Sequence, residues 1–296
     1  MIRGLLPPIP TPFVDDQFSA PHYAENISRW NDTPLDGYVV LGSNGEAPLL
    51  DEAERALVIR TARQSIAAGR QLVAGAGRQS TRATIRSVRE AFDLGADAVL
   101  VGVPDYFRPS MTDTILRDHY LRVADASPGP VLLYSVPFFT GLPIGPMLFS
   151  SLLGHDRIAG IKDSSGDLVA LQGMLDASRD SGREVAVLIG NASVLAAGLE
   201  IGAAGAVLAV GTIAPRQCAV VAQLVEQGDA LAARAANQKL LPLTQAVTRK
   251  HGIGGLKAAL DLIGLYGGDP RLPLQPAGGS ARAEIAAMLK DLSPLP

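Results

Sequence analysis

Lys162 stands directly after the apolar segment 158–161, and it is the only lysine among the first 238 residues, although arginine is frequent there. Burial of a lysine disfavours its ammonium form and favours the free amine. A free amine can attack a carbonyl carbon and form a Schiff base. The alternative is a structural lysine whose ammonium group pairs with Asp163 or another carboxylate, and the position alone favours neither interpretation.

Two further groups with possible chemistry follow other apolar segments. Tyr134 lies near the end of segment 131–136, where its hydroxyl could transfer the protons that carbinolamine dehydration and carbon–carbon cleavage require. A tyrosine at a strand end is also a common packing residue. The turn GSNGE at 42–46 offers backbone N–H groups with Ser43 and Asn44, which could hold a carboxylate, although the same residue types build ordinary turns.

The elements that must position these groups repeat one pattern. Continuous apolar segments alternate with amphipathic ones, which is typical of parallel strands covered on both faces. Asp51 with Glu54 predicts a capping box, and Ser80 predicts another helix start. The predicted strands are 4–10, 37–42, 71–75, 98–103, 131–136, 158–162, 185–189 and 205–210.

Eight strand–helix units predict an α/β fold, a (β/α)8 TIM barrel over residues 1–228, with a C-terminal helical extension over 229–296. No GxGxxG motif opens a helix, which disfavours an open dinucleotide-binding sheet. Active sites in this barrel lie at the carboxyl ends of the strands, where Lys162, Tyr134 and the GSNGE turn stand.

Composition restricts the class of protein. The chain of 296 residues has a net charge of -3 and no basic run, which argues against nucleic acid or an anionic membrane as partner. One cysteine, no secretory signal and no apolar run of membrane-spanning length predict a cytoplasmic protein. The four histidines show no metal-ligand spacing, so no metal is expected.

The motifs GLLPPIPTPF, GSNGE, PDYFRP, YSVPFFTG, GIKDSSGD and GLYGG occur in this order along the chain. Together they resemble the pyruvate-dependent class I aldolases and lyases that include dihydrodipicolinate synthase and N-acetylneuraminate lyase. The resemblance implies that Lys162 forms the Schiff base with pyruvate, that Tyr134 transfers protons, and that Ser43 is a relay residue. Tyr106 would be a second relay residue, reaching in from a neighbouring subunit.

The same resemblance implies a binding site for a small 2-oxo acid. Ser43 and Asn44 match the carboxylate-binding turn, and Gly190 and Val207 match backbone positions that line the pyruvate site. Gly45, in the same turn, is a further candidate for substrate binding. No cofactor beyond the covalent Schiff base is implied, and family members are homo-oligomers, so we expect a dimer or tetramer.

Departures from the family pattern bear on the substrate. In the motif YSVPFFTG, Phe139 occupies the position at which dihydrodipicolinate synthases carry an arginine. That arginine holds the carboxylate of aspartate semialdehyde. Ser135 likewise replaces an asparagine of the synthase motif. The motifs are similar to those of 4-hydroxy-2-oxoglutarate aldolase, which cleaves its substrate to pyruvate and glyoxylate. This likeness makes Asn44 and Ser164 candidates for contacting the polar end of the substrate. The alternatives are 4-hydroxy-tetrahydrodipicolinate synthase, a 2-keto-3-deoxy sugar-acid aldolase or dehydratase, and a non-catalytic pyruvate-binding homologue.

Overall fold

A computed structural model describes residues 1–292 and contains a curled sheet of eight parallel strands beside one separate hairpin. The hairpin strands β2 and β3 are antiparallel, and its two turn residues, Asp15 and Asp16, both have positive φ. In chain order the strands are β1 (Gly4–Leu5), β2 (Phe13–Val14), β3 (Gln17–Phe18), β4 (Gly37–Val40), β5 (Gln71–Gly75), β6 (Ala98–Gly102), β7 (Val131–Ser135), β8 (Ile158–Asp163), β9 (Ala186–Ile189) and β10 (Gly205–Ala206).

The sheet closes into a barrel. Its strand order is β1-β10-β9-β8-β7-β6-β5-β4, and a parallel bridge between Pro8 and Val39 joins the two ends. The N–H of Val39 donates to the carbonyl of Pro7, and the N–H of Ile9 donates to the carbonyl of Val39, both at 3.0 Å. The predicted (β/α)8 TIM barrel is therefore confirmed.

The first and last barrel strands are shorter than predicted. The regular part of β1 ends at Leu5 and not at Pro10, because the prolines that follow have no N–H to donate to a ladder. The strand β10 ends at Ala206 and is followed by a 3-10 turn, Ala209–Thr212.

Helices surround the barrel. The predicted capping box is confirmed, since Asp51 Oδ1 accepts the N–H of Glu54 at 2.8 Å and Glu54 Oε2 accepts the N–H of Asp51 at 3.1 Å. The helices are α1 (Ala20–Asn31), α2 (Glu52–Ser65), α3 (Thr81–Asp93), α4 (Asp113–Ala126), α5 (Pro137–Thr140), α6 (Pro146–Leu152), α7 (Leu168–Asp180), α8 (Leu195–Glu200), α9 (Pro215–Glu226), α10 (Ala230–Gln245), α11 (Gly252–Leu262) and α12 (Gly279–Leu292).

The C-terminal helices α10, α11 and α12 pack on the barrel helices. A π turn, Ala246–Lys250, joins α10 to α11. Leu240, Leu256 and Ile285 are fully buried in the same apolar layer as the barrel helices. The predicted extension is thus helical and packed, while its division from the barrel at residue 229 stays a prediction. Within residues 1–292, no helix has the length and apolar character needed to cross a membrane.

Two apolar layers make up the core. The larger layer lies between the strands and the surrounding helices. The smaller layer fills the barrel interior, where Leu100, Leu132, Leu188 and Val207 pack with the ring of Tyr134. Side chains at the carboxyl ends of the strands therefore rest on a packed interior, as is typical of this fold.

Candidate active site

Lys162 and Tyr134 lie side by side on neighbouring strands. The two residues are register partners between β7 and β8, so both side chains point into the barrel. Lys162 is only 3% exposed, and its Nζ lies 4.2 Å from the centroid of the Tyr134 ring. Across residues 1–292, no carboxylate lies within ion-pair distance of Lys162. The ion pair that the sequence left open for Lys162 is thus not formed within the described chain.

Asp163 points to the opposite side of β8. It is the register partner of Ser135, and its Oδ2 accepts a hydrogen bond of 2.5 Å from the hydroxyl of Ser165. Burial raises the pKa of the Asp163 carboxyl, while the hydrogen bonds from these serines work in the opposite direction. Asp163 is therefore a buried structural carboxyl and not the counter-ion of Lys162.

Ser43 reaches the hydroxyl of Tyr134. Its Oγ lies 3.3 Å from that hydroxyl oxygen, at hydrogen-bond distance. The hydroxyl of Thr11 donates to the carbonyl of Gly45 at 2.7 Å and anchors the same turn. Leu41 and Glu46 flank the turn with φ angles of 55° and 54°. Non-glycine residues rarely adopt this left-handed conformation, and it is found at sites that the surrounding structure holds in place.

A buried ion pair supports the turn from behind. Glu46 Oε1 lies 2.6 Å from Lys257 Nζ on α11, and both side chains are fully buried. Lys257 Nζ also donates to the carbonyl of Asp269 at 3.0 Å, and Glu46 Oε2 accepts the N–H of Arg271 at 2.8 Å. Burial raises the pKa of Glu46 and lowers that of Lys257, while each partner pulls the other back towards its charged form.

Sequence reasoning missed this pair. Glu46 belongs to the quoted GSNGE motif, but its partner lies 211 residues further along the chain. The one available signal was the position of Lys257, a lysine inside an apolar helical segment.

The predicted binding residues Ser164, Gly190 and Val207 are connected through the backbone at the ends of β8, β9 and β10. Gly190 N–H donates to the carbonyl of Asp163 at 2.6 Å, and Val207 N–H donates to that of Ile189 at 2.7 Å. A Cβ at Gly190 would lie 2.1 Å from the hydroxyl oxygen of Ser164 and 2.8 Å from the backbone carbonyl oxygen of Asp163, so a side chain there would force the backbone to shift.

Tyr106 is not brought to this cluster within one chain. Its side chain is 78% exposed and packs edge-on against Phe107 at 5.0 Å. Its N–H donates to Gln79 Oε1 at 3.0 Å, which fixes the loop but not the ring. Asn44 is half-buried within the turn beside Ser43.

A cavity of about 460 Å³ opens beside the pair formed by Ser43 and Tyr134. Phe139, 57% exposed, lines its rim together with Thr140. Among the described residues, no group of three or more histidine, cysteine or acidic side chains is placed to hold a metal ion.

The fold and this cluster define a class of protein: a (β/α)8 barrel enzyme that carries a buried lysine beside a tyrosine at its strand ends. The model of the dihydrodipicolinate synthetase family matches residues 1–292. The chain belongs to this family, and it is a lyase of the class I aldolase type.

Individual relatives agree with the family. The chain is 35% identical to an uncharacterised DapA-like lyase of Halobacterium salinarum, over 98% of this chain and 94% of that protein. It is 31% identical to a 4-hydroxy-tetrahydrodipicolinate synthase of Methanopyrus kandleri, over 100% of this chain and 98% of the relative. The solved structure of YagE from Escherichia coli K12, a family member in complex with pyruvate, covers 99% of both chains at a TM-score of 0.92 and 28% identity.

Proposed function

We propose that this protein is a pyruvate-dependent aldolase that cleaves or forms a 4-hydroxy-2-oxo acid through a Schiff base on Lys162. One observation carries the proposal: a buried lysine amine has no carboxylate partner within the described chain and lies against the ring of Tyr134, whose hydroxyl meets Ser43. Because no ion pair holds the amine, it is available to attack a carbonyl carbon.

The proposed cleavage proceeds in steps that this arrangement can perform. Lys162 Nζ adds to the 2-oxo carbon, and loss of water gives an iminium. Tyr134 takes the proton of the 4-hydroxyl, and the bond between carbons 3 and 4 breaks. The electron pair of that bond converts the iminium into an enamine, and carbon 4 leaves as the carbonyl carbon of an aldehyde. Protonation of the enamine at carbon 3 and hydrolysis then release pyruvate and restore the amine. Tyr134 passes protons on through Ser43.

The substrate carboxylate is proposed to bind at the turn that contains Ser43, Asn44 and Gly45, whose geometry Thr11 and Glu46 support. Ser164, Gly190 and Val207 would line the opposite side of the bound pyruvate. No cofactor is needed for this reaction, and we expect it to take place in the cytoplasm.

Our leading substrate is 4-hydroxy-2-oxoglutarate, cleaved to pyruvate and glyoxylate. Support comes from the sequence likeness and from Phe139, which gives the cavity rim an apolar ring where a synthase would carry an arginine. The second candidate is 4-hydroxy-tetrahydrodipicolinate synthase, which the names of several relatives favour.

A substrate panel separates these candidates. Pyruvate release from 4-hydroxy-2-oxoglutarate and from 2-keto-3-deoxy sugar acids would be followed with a coupled lactate dehydrogenase. Condensation of pyruvate with aspartate semialdehyde would be followed with a coupled reductase. We expect the highest kcat/KM for 4-hydroxy-2-oxoglutarate, and a higher value for the condensation would overturn this choice of substrate. No turnover of any substrate by folded protein would favour a non-catalytic homologue.

A further inference from the structure

The π turn Ala246–Lys250 of the C-terminal extension lies at the end of the barrel that carries the candidate active site. It packs beside the 3-10 turn Ala209–Thr212, which follows the carboxyl end of β10. Ala246 and Val247 anchor the π turn in the core, whereas Arg249 is exposed. Short π turns within helices are frequent at functional sites. The side chain of Arg249 is thus an exposed cation on the same end of the barrel as the proposed chemistry.

Among the consecutive basic residues 249–251, Arg249 alone has no acidic partner in the described part of the chain. Lys250 Nζ lies 2.7 Å from Glu284 Oε1, and His251 Nε2 lies 3.0 Å from Oε2 of the same carboxylate. Arg249 instead places its Cζ 4.2 Å from the centroid of the Phe138 ring. The face of an aromatic ring attracts a cation electrostatically. This contact holds the guanidinium over α5, and no hydrogen bond within residues 1–292 occupies its side-chain N–H donors.

Phe138 connects the guanidinium of Arg249 to the cavity. Its ring packs edge-on against the ring of Phe139, with centroids 5.0 Å apart. Phe139 lines the rim of the cavity, and both rings are more than half exposed. A positive charge therefore stands one ring away from the rim position at which this chain has Phe139 and the synthases carry an arginine.

The proposed chemistry determines the direction in which a substrate extends. Its first carboxylate binds at the Ser43 turn, carbon 2 bonds to Lys162, and carbon 4 lies at the hydroxyl of Tyr134. The barrel interior beneath these groups is filled by packed apolar side chains. The remaining carbons can thus continue only towards the mouth of the cavity, where Phe139 and Thr140 form the rim.

We propose that Arg249 is a specificity-determining residue that binds a second carboxylate at the far end of the 2-oxo acid substrate. This inference rests on the proposed function and assigns 2-oxo dicarboxylic acids as the substrate class of the same site. A guanidinium group matches the geometry of a carboxylate and binds it through two parallel hydrogen bonds. No acid of the described chain competes for Arg249, and the rings of Phe138 and Phe139 would shield one side of the new ion pair from water.

A matched pair of acids tests this assignment. 2-Oxoglutarate and 2-oxopentanoate have carbon chains of equal length and differ in the second carboxylate. Each acid is mixed with the full chain at a series of concentrations and reduced with borohydride, and the modified fraction is read from the intact mass. We expect half-saturation of the wild type at a lower concentration of 2-oxoglutarate. Arg249→Gln should raise that concentration at least about tenfold, equal to about 1.4 kcal/mol, and leave the values for 2-oxopentanoate and pyruvate unchanged.

The matched control is Arg157→Gln, which should change none of these values. Arg157 is an exposed arginine just before β8, at the opposite end of the barrel. A second cation near the rim is Arg108, since a Cβ at Gly141 would lie 2.6 Å from its Nη1. A loss of 2-oxoglutarate binding in Arg108→Gln but not in Arg249→Gln would overturn the proposal.

The same experiment separates this inference from the proposed function. A wild type that is trapped by pyruvate but binds the two longer acids equally well would contradict the role of Arg249 and leave the Schiff-base mechanism intact. A folded wild type that none of the three acids modifies would contradict the Schiff-base mechanism and, with it, this inference.

Discussion

At the scale of single residues, Tyr134 connects the two chemical groups of the site. Its ring covers Lys162 Nζ and its hydroxyl contacts Ser43. Removing only the hydroxyl keeps the ring contact, so the fold and the position of Lys162 should be retained while the proton path is lost.

Tyr134→Phe is therefore expected to lower kcat by about 10²- to 10⁴-fold, with a much smaller change in KM. Steady-state kinetics on the best substrate measure this. The control is Tyr38→Phe, which removes a hydroxyl bonded to Asn31 on the outer side of the barrel and should leave kcat unchanged. A Tyr134→Phe enzyme with wild-type kcat would exclude the proton-transfer role.

Residues at strand ends could be predicted from the sequence, because an apolar segment fixes where its strand ends and the fold fixes which end carries the site. Lys162, Tyr134 and Ser43 were found in this way. Lys257 was not, because it lies within an apolar helix and its partner Glu46 is distant in sequence. The position of the loop that carries Tyr106 could also be predicted. Within residues 1–292, however, the Tyr106 ring packs on Phe107 and not on the candidate site.

At the scale of elements, α11 is bonded to the turn that carries Ser43. The pair formed by Glu46 and Lys257 joins them, and Arg271 adds a backbone hydrogen bond to the same carboxylate. The C-terminal extension thus helps to hold a strained turn of the candidate site. Its helices could be predicted from periodicity, whereas this contact depends on tertiary packing.

Glu46→Gln should lower the free energy of unfolding by about 3–5 kcal/mol, because it leaves the buried Lys257 ammonium without a counter-ion. Urea denaturation followed by circular dichroism measures the change. Adding Lys257→Met removes both charges and should restore much of the loss. The matched control Asp118→Asn breaks an exposed pair with Arg122 and should cost less than about 1 kcal/mol. Equal effects of the buried and the exposed change would refute this account.

At the scale of the whole molecule, we expect two exposed aromatic side chains to lie at a contact between subunits. Tyr106 and Phe107 are 78% and 69% exposed. Burial of these rings against a second copy of the chain would remove apolar surface from water. It would also bring Tyr106 to the neighbouring subunit, where the family resemblance expects it to act as a relay residue.

We expect multi-angle light scattering to give at least a dimer at micromolar concentration. Tyr106→Ala together with Phe107→Ala should weaken this assembly. Leu231→Ala is the control, since that side chain is equally exposed but lies on α10. A monomeric wild type would remove Tyr106 from the proposed site.

The stability of the molecule should also respond to pH through His119. Burial lowers the pKa of His119 to about 4, from 6.5 in an exposed histidine. Between these two values the unfolded chain binds a proton that the folded chain does not, so stability rises with pH over this window and is lost as the pH falls. Urea denaturation at pH 7 and at pH 5 measures this fall in the free energy of unfolding. The fall should be smaller in His119→Gln than in the wild type by on the order of 2 kcal/mol. An unchanged pH dependence would contradict this role.

The central claim is tested most directly by mixing the protein with pyruvate, adding borohydride, and recording the intact mass and a peptide map. The account predicts one reduced pyruvate adduct on Lys162. Lys162→Ala should remove the adduct and lower turnover by more than about 10³-fold, while Lys239→Ala, at an exposed lysine, should change neither. A folded wild-type protein that acquires no adduct, or acquires it on another lysine, would contradict the Schiff-base mechanism.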